Sequence, residues 1–262
     1  MNIDLTHKTA LVCGASQGLG LATAKELALL GATVIITSRS EEKLKEALKE
    51  LDVSTGQQHS YEVMDLSNSE DAAAKVKAIV DKGTTIHILI NNAGGPPSGP
   101  MIDTPAKDLE QAFKTHLISS QLLVQTVLPG MRTAGYGRIV NILSTSVKQP
   151  INGLGISNAI RAAVANWAKT LANEVGNSGI TINNVLPGFT STDRLTYLFE
   201  KQAKDQQVDK QTILERTIAS IPAKRLGTPE EFGGIVAFLC SPAAAYINGV
   251  NLPVDGGRTG CL

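Results

Sequence analysis

"VCGASQGLGLATAKELALLGATVIITSR", residues 12–39, runs from a strand end through a glycine-rich turn and a helical period into a second strand. An aliphatic run ends at Val12, glycines crowd the next positions at Gly14, Gly18 and Gly20, and a helical period then runs over 18–30. Gly31 closes that helix and "TVIIT" (33–37) begins a second β-branched run. Glycines between a strand and a helix permit a tight turn and let a pyrophosphate approach the backbone, where the helix N-terminus offers free N–H groups and a positive dipole end. The spacing is G-x-x-x-G-x-G, not G-x-G-x-x-G. Glycines also punctuate such turns where nothing binds, so the weight rests on the strand, helix and strand that frame them.

Working outward, the pattern repeats. The runs "TALVC" (9–13), "HSYEVM" (59–64), "IHILI" (86–90), "RIVNIL" (138–143), "ITINNVL" (180–186) and "VNLPV" (250–254) join 33–37 as strand candidates. Segments 18–30, 41–52, 68–81, 105–128, 157–175 and 228–240 carry helical periods between them. Thr104 with Pro105, and Thr228 with Pro229, form N-cap and first-turn pairs. Strands alternating with helices predict an α/β fold: one doubly wound, Rossmann-type domain over 1–262, with a seven-stranded parallel sheet and helices on both faces. The long polar connection 189–227 departs from the alternation and is expected to be a substrate lid, against the plainer reading of an oligomer contact or a solvated helical pair.

The chain has 262 residues, 42% of them hydrophobic, 18% charged and 4% aromatic, enough to bury one large core. Lys plus Arg and Asp plus Glu are both 24, so no global field favours nucleic acid or an anionic membrane. Cys13, Cys240 and Cys261 are odd in number and show no metal-ligand spacing, which suits reduced thiols and no metal centre. With no leader pattern and no long apolar run, a cytoplasmic protein acting on a small molecule is expected.

The end of the second strand bears on which dinucleotide binds. An acid there suits a ribose 2′-hydroxyl, whereas a basic residue suits a 2′-phosphate. This strand ends in Ser38 and Arg39, with no acid before Glu41, which favours NADP(H) over NAD(H). The alternative is that Arg39 is a solvated charge opening the next helix.

At this point the chain resembles the short-chain dehydrogenase/reductase family over essentially its whole length, with the flavour of the 3-oxoacyl-(acyl carrier protein) reductase branch. The resemblance is carried by "GASQGLG" (14–20), "MDLS" (64–67), "NNAGG" (91–95), "NILSTS" (141–146), "NNVLPGFTST" (183–192), "RLGTPEEF" (225–232) and "INGVNLPVDGG" (247–257). It implies that Ser16, Gln17 and Leu19 join the three glycines at the phosphates, and that Asp65 and Leu66 lie beside the adenine. Asn92, Ala93 and Gly94 would line the adenosine ribose, and Pro187, Gly188 and Thr192 would frame the nicotinamide. It also implies a homo-oligomer, a tetramer or dimer built through the fourth and fifth helices and the C-terminal strand.

The family joins an Asn, a Ser, a Tyr and, four residues after the Tyr, a Lys. The serine matches Ser144, but Ser157 stands at the tyrosine's place, Arg161 at the lysine's and His116 at the asparagine's. An aliphatic hydroxyl is far less acidic than a phenol, so Ser157 is a poor lone acid, and water could fill the space of the missing ring. Arg161 shares a helix face with Ser157 and either keeps the lysine's role at the nicotinamide ribose, the favoured reading, or grips an anionic substrate. His116 could supply the proton directly or through water, or be a histidine packed inside its helix. Lys148 could reach the substrate from the loop after Ser144, and "GGPPSGPM" (94–101) is expected to form a stiff rim. Three functions follow: an NADP-dependent carbonyl/alcohol oxidoreductase with an altered acid/base set, a regulatory dinucleotide-binding protein without hydride transfer, or a non-redox lyase or isomerase on the same scaffold.

Overall fold

A computed structural model describes residues 1–261. Seven strands form one wholly parallel sheet: β1 (Thr9–Val12), β2 (Thr33–Ser38), β3 (Ser60–Val63), β4 (Ile88–Asn91), β5 (Gly137–Ile142), β6 (Ile180–Pro187) and β7 (Asn251–Val254). Their order is β3-β2-β1-β4-β5-β6-β7, so the chain winds outward to β3 and then returns to the other side of β1. The return opens a crevice beyond the carboxyl ends of β1 and β4, where ligands of open α/β sheets sit.

Successive strand residues point to opposite faces, and in a sheet covered on both sides each face needs its own core. Val12, Ile36, Ile90, Val140 and Val185 pack beneath α1 (Gly18–Leu29), α2 (Glu41–Lys49) and α9 (Pro229–Cys240). Leu11, Ile35, Leu89, Ile139 and Ile182 pack beneath α3 (Ser69–Asp81), α5 (Ser119–Ala134) and α6 (Gly155–Val175). Gly31 takes a φ of 94° after α1, and its N–H bonds to the carbonyl of Ala28, as a left-handed helix stop requires.

The single helix expected over 105–128 is instead broken and longer. It comprises α4 (Ala106–Phe113), a π turn at Lys114–Ile118, and α5. The wide turn is closed by the Ser119 backbone N–H, which donates to Lys114 O five residues back, while Ser119 Oγ donates to Leu66 O at 2.5 Å and Ser120 Oγ to His116 O at 2.8 Å. Such bulges leave no mark on hydrophobic period. Nor does Thr104 cap α4, because the cap position falls on Pro105 and the Thr104 hydroxyl turns back to Pro100 O. Thr228 does cap α9, in a capping box with Glu231.

Segment 189–227 folds as α7 (Asp193–Gln206) and α8 (Lys210–Ala219), closed on a small core of Leu195, Phe199, Ala203 and Ile213. Among the described residues no helix is long and apolar enough to cross a membrane.

Candidate functional site

The turn after β1 cannot accept side chains at its glycines. Gly14 has a φ of +58°, and a Cβ there would lie 2.6 Å from Asn92 O; at Gly20 a Cβ would lie 2.2 Å from Gly14 O. Asn92 Nδ2 ties the turn to β4 by donating to Cys13 O at 3.2 Å and Gly14 O at 3.1 Å. No side chain caps α1, whose N-cap is Gln17, so the helix presents its first N–H groups to the turn without a side-chain acceptor. Bare backbone, a positive helix end and no competing cap fit the phosphates of a dinucleotide. Thr192 reaches over this turn, its Cγ2 3.8 Å from where a Gly18 Cβ would stand, while its hydroxyl accepts from Leu195 N as the cap of α7. Ser16 and Leu19 lie in the same turn.

At the neighbouring strand end, Arg39 is exposed and Ser38 Oγ bonds to the Ser40 carbonyl. Lys43 Nζ donates to Gln17 Oε1 at 2.8 Å, adding a second cation that the strand-end rule did not single out. Asp65 Oδ1 accepts from Ser67 N, and Leu66 lines a small cavity with Asn92 and Ala93. Pro187 ends β6, and Gly188 lies so close to Asp255 that a Cβ would meet its Cα at 2.5 Å.

Ser144 follows β5 and caps the short turn Thr145–Val147, its Oγ accepting from Ser146 N at 3.1 Å. That leaves its own proton to donate elsewhere. Across from it, α6 carries half-buried Ser157 and, one turn later, Arg161. Arg161 is only 7% exposed; Nη1 donates to Ile142 O at 2.9 Å and Nε has no partner. Burial, reinforced by the charge of Arg194, lowers its pKa to about 10, so it stays a cation.

His116 projects from the π turn and is 5% exposed. Burial is the main cause that lowers its pKa to about 3, with Arg161 adding to the fall and a hydrogen bond with the Gly94 backbone opposing it. Near neutral pH its ring is uncharged. His116 and Arg161 line one cavity of about 10 Å³ with Asn91, Asn92 and Ala93, room for about one water. The fold thus gathers Arg161, His116 and residues 91–93 around one space, with Ser144 and Ser157 outside its lining.

Sequence reasoning missed an asparagine ladder that ends in this cavity. Asn91 Nδ2 donates to Asn141 Oδ1 at 2.8 Å, Asn141 Nδ2 to Asn184 Oδ1 at 2.8 Å, and Asn184 Nδ2 to Asn251 Oδ1 at 2.7 Å. The four occupy paired positions on β4, β5, β6 and β7. Their amide dipoles run one way, and the free negative end is Asn91 Oδ1, buried and unpartnered at the cavity. An unpaired acceptor at Asn91 and an unpaired donor at Arg161 Nε therefore line the same water-sized space. Single asparagines were visible in the strand runs, but the ladder requires the register.

Arg194 stands at the start of α7 as one of the cations of segment 189–227. Its Nη2 lies 2.9 Å from where a Cβ on Gly95 would stand, so the guanidinium rests against the 94–101 segment. Lys201 of the same helix donates to Ser98 Oγ at 3.1 Å.

Comparison with known proteins agrees with the fold. A family model described as enoyl-(acyl carrier protein) reductase matches residues 14–259. The chain is 37% identical over 257 residues to a 3-oxoacyl-[acyl-carrier-protein] reductase of Vibrio cholerae, covering 97% of this chain and 98% of that one. Among solved structures, L-sorbose reductase from Gluconobacter frateurii, complexed with NADPH and L-sorbose, superposes with a TM-score of 0.93 at 29% identity over 100% of both chains. An actinorhodin polyketide ketoreductase with NADPH gives 0.89 at 31% identity over 97% of each. The chain belongs to the short-chain dehydrogenase/reductase family of oxidoreductases.

Proposed function

We propose that this protein is an NADP(H)-dependent reductase of carbonyl compounds that works with Ser157 and Arg161 at the places where its family carries tyrosine and lysine. The observation that carries the reading is the buried Arg161 cation beside Ser144's strand end, next to a backbone cradle fit for phosphates. The NADPH named with two of the solved relatives, together with the exposed Arg39 and with Lys43 at Gln17, supports the phosphorylated dinucleotide. The names of the curated relatives make a 3-oxoacyl thioester one substrate class to try.

When bound, the dinucleotide supplies a hydride. The residues of this chain do the rest. Ser144, fixed by the Ser146 N–H, donates its free hydroxyl proton as a hydrogen bond to the carbonyl oxygen. Arg161 supplies positive charge as that oxygen gains electron density, in a site where burial weakens screening. Neither group need give up a proton. Water supplies it, held by Ser157 in the space of the absent phenyl ring and continued inward by the water-sized cavity between His116, Arg161 and Asn91. His116, uncharged and bonded to the Gly94 backbone, offers its other ring nitrogen as an acceptor to that water path and does not act as an imidazolium acid. Segment 189–227, with α7 resting on the 94–101 rim, serves as the lid, and the chain assembles as a homo-oligomer.

The reading is tested by titrating the protein with NADPH and NADH and following oxidation of each over a carbonyl panel that includes 3-oxoacyl thioesters. NADPH should bind more tightly, and Ser144→Ala should lower kcat by about a hundredfold or more without weakening NADPH binding, as for loss of one oxyanion donor. Carbonyl reduction unaffected by Ser144→Ala would defeat the mechanism. A second reading, dinucleotide binding without redox turnover, is favoured by one observation: His116 is held uncharged, so it cannot replace the lost phenol as a strong acid. It predicts tight NADPH binding and no oxidation anywhere on the panel.

A further inference from the structure

Two cations stand near one another, and neither has an acidic partner among the described residues. Arg161 is buried with Nε unpartnered, although a buried guanidinium ordinarily finds an acceptor for each face it presents. Arg194 is exposed, with its Nη2 held against Gly95. The ion pairs among the described residues involve neither of them, and adjacent Asp193 does not pair with Arg194. Their mutual repulsion is felt, since the charge of Arg194 contributes to lowering the pKa of Arg161.

The short strip Gly94–Gly95 joins them. Gly94 backbone hydrogen-bonds with His116, which packs beside Arg161, while Gly95 carries Arg194. Gly95 has no Cβ, and one placed there would stand 2.9 Å from Nη2, so this backbone lets the guanidinium come close to the rim. Lys201 on the next turns of α7 is tethered to the same rim at Ser98. Like charges gathered without a counter-ion oppose closure of the empty cleft, and an anion entering between them reverses the sign of that interaction. A planar guanidinium with its fork free is suited to a carboxylate.

We propose that the substrate is itself an anion, a carbonyl compound bearing a carboxylate that Arg194 grips from α7, while the buried charge of Arg161 reinforces the attraction from α6. This rests on the reductase reading for its carbonyl, and on the two arginines alone for its charge. The same cation chemistry could instead serve the phosphates of the dinucleotide, and the test separates the two sources.

The probes are 2-oxobutyrate, acetoacetate and laevulinate, each beside its methyl ester, offered to the NADPH-loaded protein with NADPH oxidation and calorimetric binding both recorded. The acids should outperform their esters at least tenfold in kcat/KM, or in affinity where no turnover occurs. Arg194→Gln should bring the acid-to-ester ratio toward one by raising KM for the acid, Arg194→Lys should restore part of it, and the NADPH dissociation constant should stay within about twofold. Acids binding in an Arg194-dependent way without NADPH oxidation would uphold the anion site and defeat the reductase reading. Acids and esters behaving alike, or Arg194→Gln weakening NADPH while leaving the ratio intact, would overturn the proposal.

Discussion

His116 is buried with a cation for a neighbour, and both facts push its pKa down, to about 3 from an ordinary 6.5. In the unfolded chain the same ring protonates near 6.5, so between these values the unfolded state binds a proton that the native state refuses. Stability on this account is complete above about pH 6.5 and falls as the pH drops toward 3. At pH 5 the loss is about 2 kcal/mol. His116→Asn should remove it, so urea unfolding at pH 7 and pH 5 should show a stability loss smaller by about that amount than in the wild type. Parallel losses would mean that His116 is not held neutral. Arg161 poses the converse test. A buried guanidinium whose Nε finds no acceptor carries a desolvation cost that its bond to Ile142 O offsets only in part. Arg161→Met is therefore expected to keep or raise Tm while lowering NADPH-dependent turnover by at least about a hundredfold. The family resemblance pointed to both positions, but it could not say that His116 would be uncharged. That depends on burial and on Arg161, which lies far off along the chain and close by in space.

At the scale of elements, the strands and the glycine turn were legible because their signals are local. Gly14 and Gly20 must lack side chains for reasons within reach of the turn and β4. Gly20→Ala puts a methyl where Gly14 O stands, and should lower NADPH affinity by at least about tenfold and depress Tm, as overpacking by one group costs about 1–3 kcal/mol. The asparagine ladder was not legible, because each member is joined to residues at least 43 positions away. Asn184 is its centre, giving a donor to Asn251 and accepting from Asn141. Asn184→Val leaves Asn141 Nδ2 buried without an acceptor, and should cost about 2–4 kcal/mol in urea unfolding, more than an isolated surface hydrogen bond. A loss below about 1 kcal/mol would show that the ladder is not a coupled unit. The broken helix at 114–118 escaped the sequence for another reason: the π turn keeps the apolar stripe of a regular helix, and Ser119 and Ser120, whose hydroxyls donate to Leu66 O and His116 O, are unremarkable as residues.

For the whole molecule, alternation of period 2 with period 3.6 was enough to give a parallel sheet covered on both faces, since few other arrangements bury both stripes. Family membership followed from motifs spread along the whole chain, each local. What remained illegible was the meeting of α7 with the 94–101 rim, where Arg194 reaches Gly95 and Lys201 reaches Ser98. Charge placement across the sheet end also bears on cofactor choice. Arg39→Asp should reduce the preference for NADPH over NADH by about 10–100-fold in dissociation constant, the worth of a charge-assisted contact. The central claim is that the chain passes a hydride to a carbonyl although a serine and an arginine stand where its family carries tyrosine and lysine. The direct measurement is single-turnover incubation with NADPH deuterated at the transferred position and the carbonyl panel, followed by mass spectrometry of the alcohols formed. Deuterium in an alcohol product, greatly diminished in Ser144→Ala, is the predicted result; NADPH that binds tightly and keeps all its deuterium would contradict the account.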